Sequence, residues 1–444
     1  MFKEISIYLF MFSALLFWGC SGAGSSSSEG GTDSNNIFDT NSDNYKDSDN
    51  STGTDTFIGS DDPDSDSDSN TDSNNYVIGM PDTDPPMGLK PDEVPLFIVI
   101  GSDDNAHAGL DTNTGMGFLL NLYNDRVNPA GNGNSATFDG EAIHFSAYGN
   151  GVYIQESSAD PVALVKESWR TVFDNGNELG NHTYSHEHGT LFSYDDWYNE
   201  IKACTDEIIK PYTPGSLNLS STGIGIDASE IVGFRSPYLE YNDNLFDVLS
   251  DLDFKYDCSI EEGYENGQDG TNFYWPYKLD NGSPVNSSIS SHAGLWEIPV
   301  YPFVAPPDDK CLSYGVPSGL REKLAANPGY LDNALDNIYL NKDDGRLRGL
   351  DYDVWNDYDM EKEEALAVFK HTLDQRLKGN MAPMTMCMHV ALYSEHSWGN
   401  IQNTSYQERI QVVTDFINYA LTKPNVRIVS AKQMLTWLES PTPL

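Results

Sequence analysis

The sequence predicts an α/β protein in which parallel strands are joined by crossover helices, carried behind a long acidic tether. Three observations predict it. From residue 95 onward, short apolar and β-branched runs alternate with segments of helical spacing, the pattern of a parallel sheet. Chemically capable polar residues fall repeatedly just past those runs; where parallel strands form a barrel, their C-terminal ends share one face and sites are built there. Residues 21–90 are dominated by Ser, Asp, Asn, Gly and Thr, too poor in apolar groups to offset the entropy of ordering.

The elements follow in order. "PLFIVIGSDD" reads as a buried strand ended by Gly101 and acids, and "ATFDGEAIHFSA" and "GVYIQE" as further strands. "DPVALVKESWRTVFDNG" has helical spacing, with Asp160 and Pro161 as its start signal. "ELGNH" reads as a short strand entering a loop, "SYDDWYNEIKACTDEIIKPY" as a helix, "IVGFRSPY" as a strand, "YNDNLFDVLSDL" as a helix and "FKYDCSI" as a strand. "GLWEIPVYPF" is a strand, "DMEKEEALAVFKHTLDQRLKG" an amphipathic helix and "APMTMCMHVAL" a buried strand. "SYQERIQVVTDFINYALTK" is another helix, and "VRIVSAKQMLTWLES" closes the chain with a strand and a helix.

The formal net charge is −43, of which residues 21–90 carry −13 and everything from residue 91 carries −30. Such a surface repels nucleic acid and anionic membranes and suits neutral or cationic partners. The Asp-rich run of the tether lacks the Gly-turn-Glu spacing of a calcium loop. At the N-terminus Lys3 precedes an apolar run over residues 5–18 that stops at Cys20 before a Ser/Gly tract. The run is short for a membrane span and stands where an export signal belongs. It resembles a bacterial lipoprotein signal with Cys20 as the lipidated residue, although Phe17 and Trp18 depart from that pattern; ordinary secretion and an uncleaved anchor are the alternatives. The expectation is three segments: a signal over 1–20, a tether over 21–90 and one domain over 91–444. The protein would be exported and held by lipid at a bacterial outer membrane or cell surface. Cys204, Cys258, Cys311 and Cys387 would then remain, an even number with no CxxC spacing, which points to disulfides rather than a cysteine zinc site.

"ELGNHTYSHEHG" places His182 and His186 four residues apart. That spacing alone is weak. Two neutral imidazoles with one carboxylate make a common catalytic metal set, and "SDDN" supplies Asp103 and Asp104 at the end of the first strand. Adjacent side chains cannot easily both face one metal, so one acid can bind it while its neighbour takes a proton.

The order acid pair, H-T-x-x-H, R-S-P-Y and a late strand ending in His resembles the polysaccharide deacetylases of the NodB-homology group, carbohydrate esterase family four. The resemblance spans residues 97–437. "GFRSPYLEYN", "FKYDCSI", "FYWPYKLD", "GLWEIPVYPF" and "MAPMTMCMHVAL" are similar, in the same order, to segments of its chitin deacetylase-like branch. The resemblance implies a distorted, incomplete (β/α) barrel. It implies Asp104, His182 and His186 as ligands of a divalent metal, Zn²⁺ or Co²⁺. It implies Asp103 as general base, Arg235 as its partner, His389 as general acid and the Tyr238 N–H as an oxyanion donor. Trp296 and Leu392 are candidate walls of the acetyl pocket, and a bridge between Cys258 and Cys311 would pin the long 306–358 region. Where the family has Thr-Phe before the acids, this chain has Gly101-Ser102, which puts the packing beneath them in doubt. His107, His144, His188, His292, His371 and His396 read as bystanders.

Amide hydrolysis needs activated water, a polarised carbonyl and protonation of the leaving amine, and this set supplies all three. The expected activity is removal of N-acetyl groups from N-acetylglucosamine polymers by a monomer. The alternatives are an O-acetyl (acetyl-xylan) esterase, a peptidoglycan deacetylase, and a glycan-binding lipoprotein without turnover. An intact acid–base pair argues against the last, since binding alone needs none.

Overall fold

The computed structural model describes residues 76–156, 160–216, 219–326, 340–399 and 401–444. Cys20, the signal-like segment and the tether up to residue 75 lie outside the described residues. No helix among the described residues is long and apolar enough to cross a membrane.

In chain order the elements are β1 (Leu96–Asp103), α1 (Gly115–Asn124), β2 (Ser146–Gly149), α2 (Val162–Asp174), β3 (Glu178–Asn181), α3 (Tyr194–Ile209), β4 (Gly233–Phe234), α4 (Asp243–Asp251) and β5 (Tyr256–Asp257). Then come β6 (Tyr277–Lys278), β7 (Trp296–Glu297), β8 (Phe303–Val304), α5 (Asp308–Cys311), α6 (Leu320–Ala326) and β9 (Arg346–Leu347). The chain ends with α7 (Lys362–Lys378), β10 (Met384–His389), α8 (Tyr406–Ala420), β11 (Val426–Ile428) and α9 (Ala431–Glu439).

One curled sheet runs β10-β1-β2-β3-β4-β5-β7-β6, with β11 also on β1. Every neighbouring pair in it is parallel except β6 with β7. β8 and β9 form a separate antiparallel pair. The ends of the path, β10 and β6, are not paired with each other, so the barrel is incomplete. β1 is buried at every residue, as expected of a parallel strand covered on both faces. Several helices start with reciprocal caps written locally: Ser193 with Asp196 on α3, Ser405 with Glu408 on α8, and Ser430 with Gln433 on α9.

Three details differ from the sequence reading. "GVYIQE" forms a 3-10 turn, Gly151–Ile154, rather than a strand of its own, directly after β2 ends at Gly149. The helix α1 over "GMGFLLNLYN" escaped the reading; two glycines and an almost unbroken apolar face hide its period. Residues 76–90, assigned by composition to the tether, pack on the domain. The Trp275 N–H donates to the Asp82 carbonyl (2.9 Å) and the Lys278 N–H to the Gly79 carbonyl (2.7 Å).

Candidate active site

Parallel strands put their C-terminal ends on one side, and four of them deliver the site. β1 ends in Asp103 and is followed by Asp104, β3 is followed by His182, β4 by Arg235, and β10 ends in His389. The register sets two neighbours directly: Asp103 lies opposite His389, and Asn181 opposite Phe234. A cavity of about 400 Å³ opens there, lined by Asp103, Asp104, His182, His186, Tyr238 and His389 among others.

The turn after β1 is held by Asn105, whose side-chain amide donates to the Ser102 carbonyl (2.8 Å) and the Tyr148 carbonyl (2.9 Å). Asp104 and Asn105 both take left-handed backbone conformations, which turn the second acid away from the first. Asp104 Oδ1 then lies 3.2 Å from His186 Nε2 and 3.8 Å from His182 Nε2. The His182 Nδ1–H donates to the Arg235 carbonyl (2.7 Å), which leaves Nε2 its lone pair. Burial, then the neighbouring His186, drag the His182 pKa down to about 3, against Asp104 and that hydrogen bond, so the ring stays neutral. His186 is aimed by a loop whose Tyr184 and Ser185 N–H groups both donate to Glu200 Oε2 on α3.

This trio fits a divalent metal. Its ligand atoms lie within 4.8 Å of one another, and Asp104 Oδ1 is buried with no hydrogen-bond partner. A buried carboxylate oxygen left unpaired beside two imidazoles is costly without a cation.

Asp103 is paired otherwise. Arg235 Nη1 lies 2.9 Å from its Oδ1, and both side chains are buried. The guanidinium also donates from Nε to the Cys258 carbonyl (3.1 Å) and stacks over Tyr148 (4.6 Å). This resolves the Gly101 departure: a Cβ there would stand 2.7 Å from Arg235 Nη1 and 2.9 Å from the Tyr148 ring. Glycine at 101 makes room for the cation that serves Asp103, two residues on.

His389 has a partner that the sequence did not reveal. Asp351 Oδ1 accepts from His389 Nδ1 (2.8 Å) and Oδ2 from the His389 backbone N–H (2.9 Å). Asp351 reaches it because the chain after β9 runs beside β10, bridging Leu350 to Cys387. Burial pulls the His389 pKa down, but the charge and hydrogen bond of Asp351, with Asp104 and Asp103 beyond, push it up to about 9. No spacing or motif flags Asp351, which sits in the long 306–358 region.

Two pocket candidates are corrected. Trp296 is buried on β7 with Lys278 over its ring, and Leu392 is fully buried in the 3-10 turn after β10; neither lines the cavity. β7 lies two sheet positions beyond β4, and Leu392 faces the core. Leu239, Leu350, Tyr352 and Trp398 form the walls instead. Tyr238 does line the cavity, in a left-handed conformation. Asp257, buried under Arg235, accepts from the Ser259 N–H and hydroxyl. The Cys258–Cys311 bridge is absent. All four cysteines of the domain are free and buried; Cys258 Sγ contacts the Phe234 carbonyl and Cys311 Sγ the Pro306 carbonyl, so each thiol is used locally.

Residues 136–256 match the polysaccharide deacetylase family model. That span holds His182, His186, Arg235 and Tyr238 but not the acid pair or His389. No curated protein matches the chain. Among solved structures, a polysaccharide deacetylase from Mycobacterium smegmatis is similar at 14% identity, covering 79% of this chain and 94% of that one, with a TM-score of 0.43. A family 4 acetyl xylan esterase from Clostridium thermocellum, in complex with a cobalt ion, is similar at 18% identity over 34% of this chain and 54% of that one, TM-score 0.22. A CE4 family pseudoenzyme from Bacillus anthracis is similar at 8% identity over 77% and 66%, TM-score 0.35.

Proposed function

We propose that the chain is a metal-dependent deacetylase of N-acetylglucosamine polymers, of the chitin deacetylase-like kind, in the polysaccharide deacetylase family that its central segment matches. One observation carries the reading: two separately anchored proton-transfer groups, Asp103 on Arg235 and His389 on Asp351, line the same cavity as the Asp104, His182 and His186 trio. A binding protein needs no such pair.

A divalent ion held by the trio, Zn²⁺ or Co²⁺, would polarise the acetyl carbonyl and acidify water. Asp103, held in place by Arg235, takes the proton of the attacking water. His389 has its Nδ1–H committed to Asp351, so its Nε2 is the nitrogen left to act. Protonated, it delivers that proton to the amine as the C–N bond breaks. Tyr238 supplies a backbone N–H to the developing oxyanion.

The test is acetate release from chito-oligosaccharides and acetyl-xylan side by side, with metal present. Turnover of the N-acetyl substrate is expected; release from acetyl-xylan alone makes the protein an O-acetyl esterase, and release from neither overturns the chitin deacetylase-like reading in favour of a peptidoglycan deacetylase or a glycan-binding protein. Export and anchoring through Cys20 to an outer membrane or cell surface form part of the same proposal, supported by the apolar run before Cys20. The parent should partition into detergent and Cys20→Ala should not.

A further inference from the structure

His188 stands two residues past a metal ligand, and its ring is 65% exposed, the profile of an idle surface histidine. The structure gives it two fixed partners. Its Nδ1 donates to Glu240 Oε1 (2.9 Å), while Glu240 Oε2 accepts from the Thr190 N–H (3.3 Å). Its ring lies parallel to that of Tyr238, centroids 4.0 Å apart and planes 12° apart. His186 meets the same tyrosine edge-on at 4.6 Å.

Tyr238 needs holding. It has φ 58° and ψ 9°, and Leu239 after it also has positive φ (56°). Two successive non-glycine residues in the left-handed region are sparsely populated and persist only where their surroundings over-determine them. The turn's own hydrogen bonds, Leu239 N–H to the Ser236 carbonyl and Glu240 N–H to the Pro237 carbonyl, close its ends. They do not fix the tyrosine, which is 51% exposed and has little burial to hold it. Its ring is held between the face of His188 and the edge of His186. Glu240 lies two residues past Tyr238, so tyrosine, histidine and glutamate close a small ring of contacts joining the loop after β3 to the loop after β4.

We infer that His188, with Glu240, is a positioning residue that clamps Tyr238 in its left-handed conformation and so aims the Tyr238 main-chain N–H at the reacting carbonyl. This rests on the hydrolase reading above, in which that N–H serves the oxyanion. Misaiming a donor costs less than deleting it, and outright loss of an oxyanion donor lowers kcat by roughly 10²–10³.

The experiment is steady-state kinetics on an N-acetyl oligosaccharide for His188→Ala, His188→Phe, Glu240→Gln and the double variant H188A/E240A, with zinc content and thermal melting measured for each. His188→Ala should lower kcat about tenfold, short of the full donor loss, with KM, metal content and melting unchanged. His188→Phe keeps the stack and should recover most of the rate. Glu240→Gln puts an amide NH2 in place of one of the two accepting oxygens, so either the His188 or the Thr190 contact is lost, and its kcat should fall between the parent and His188→Ala. The double variant should be no worse than His188→Ala, since groups acting as one unit are not additive. Unchanged kcat in His188→Ala overturns the clamp. So does a raised KM at unchanged kcat, which would make His188 a substrate contact, or a rate loss that tracks lost metal. A parent that releases no acetate from that oligosaccharide would instead bring down the proposed function and the clamp with it.

Discussion

The cavity has two sides built on different physics. The metal side, Asp103 to Arg235, comes from strands that neighbour one another in the sheet, β1 through β4. Its side chains are aimed by backbone: left-handed residues at Asp104, Asn105, Thr183, His186 and Tyr238, and the Arg235 carbonyl beneath His182. The acid side joins His389, at the end of β10, to Asp351, on a helical turn that follows β9, through a carboxylate–imidazole pair. The three metal ligands are placed by backbone geometry, whereas charge holds the acid side, as it holds Asp103 on Arg235 between them. Disturbing them should therefore give different signatures.

The largest effect belongs to the metal side. A chelator should abolish activity, and Zn²⁺ or Co²⁺ should restore it. His182→Ala should no longer hold stoichiometric metal; tight stoichiometric binding in that variant would undo the trio. Next comes Asp103→Asn, which should lower turnover by roughly 10²–10⁴, the range for losing a positioned base. Metal content should stay at the parent level, because Asp103 is held by Arg235 rather than aimed at the trio. Loss should be equal on an N-acetyl oligosaccharide and an activated acetate ester, since both need the activated water. If metal is lost as well, the roles of the two acids are exchanged.

The same contrast explains what was legible in the sequence. Geometry set by adjacent strands leaves short motifs: an acid pair after an apolar run, H-x3-H, and R-S-P-Y. The apolar runs that became β1 and β10 and the capped helices α3, α7 and α8 were equally plain, because local period and local caps decide them. Asp351 is a charge partner brought in through tertiary structure and, unlike Arg235 in R-S-P-Y, it stands in no motif. Asp351 is 38 residues from His389 and follows a two-residue strand that no run announces. The pocket walls failed for the same reason. Trp296 and Leu392 stand in or beside motif segments, whereas Leu350, Tyr352 and Trp398 come from short turns and loops outside every motif. Even the Gly101 departure became readable only once the Arg235 guanidinium was seen against it.

On the acid side, Asp351→Asn should leave the metal bound and lower amide turnover by about 10–10², less than loss of the acid itself. Ester turnover should fall less, because an activated alkoxide leaves without a strong proton donor. His389→Ala should show the same order with a larger gap. Equal losses on both substrates would deny His389 its role at the leaving group.

The smallest effect is on stability, and it tests whether the acid side is held by charge. The His389 pKa stands at about 9 in the folded protein, against about 6.5 for an unperturbed histidine. The folded state therefore binds the imidazole proton more tightly than the unfolded chain does. The resulting stabilisation is complete below about pH 6.5 and disappears as pH rises through about 9. Both side chains are largely buried, 15% and 2% exposed, so solvent screening removes little of it. The shift sets a ceiling of about 3 kcal/mol. Asparagine at 351 keeps an acceptor for the His389 N–H, so Asp351→Asn should cost on the order of 1–2 kcal/mol at pH 6. Urea unfolding of parent and variant, both in chelator so that metal binding does not mask the pair, should show that difference shrinking as pH rises through about 9, down to what the lost hydrogen bond alone contributes. A difference that stays constant across that range would mean the pair is held by packing and hydrogen bonding alone, and the distinction between the two sides of the cavity would fall.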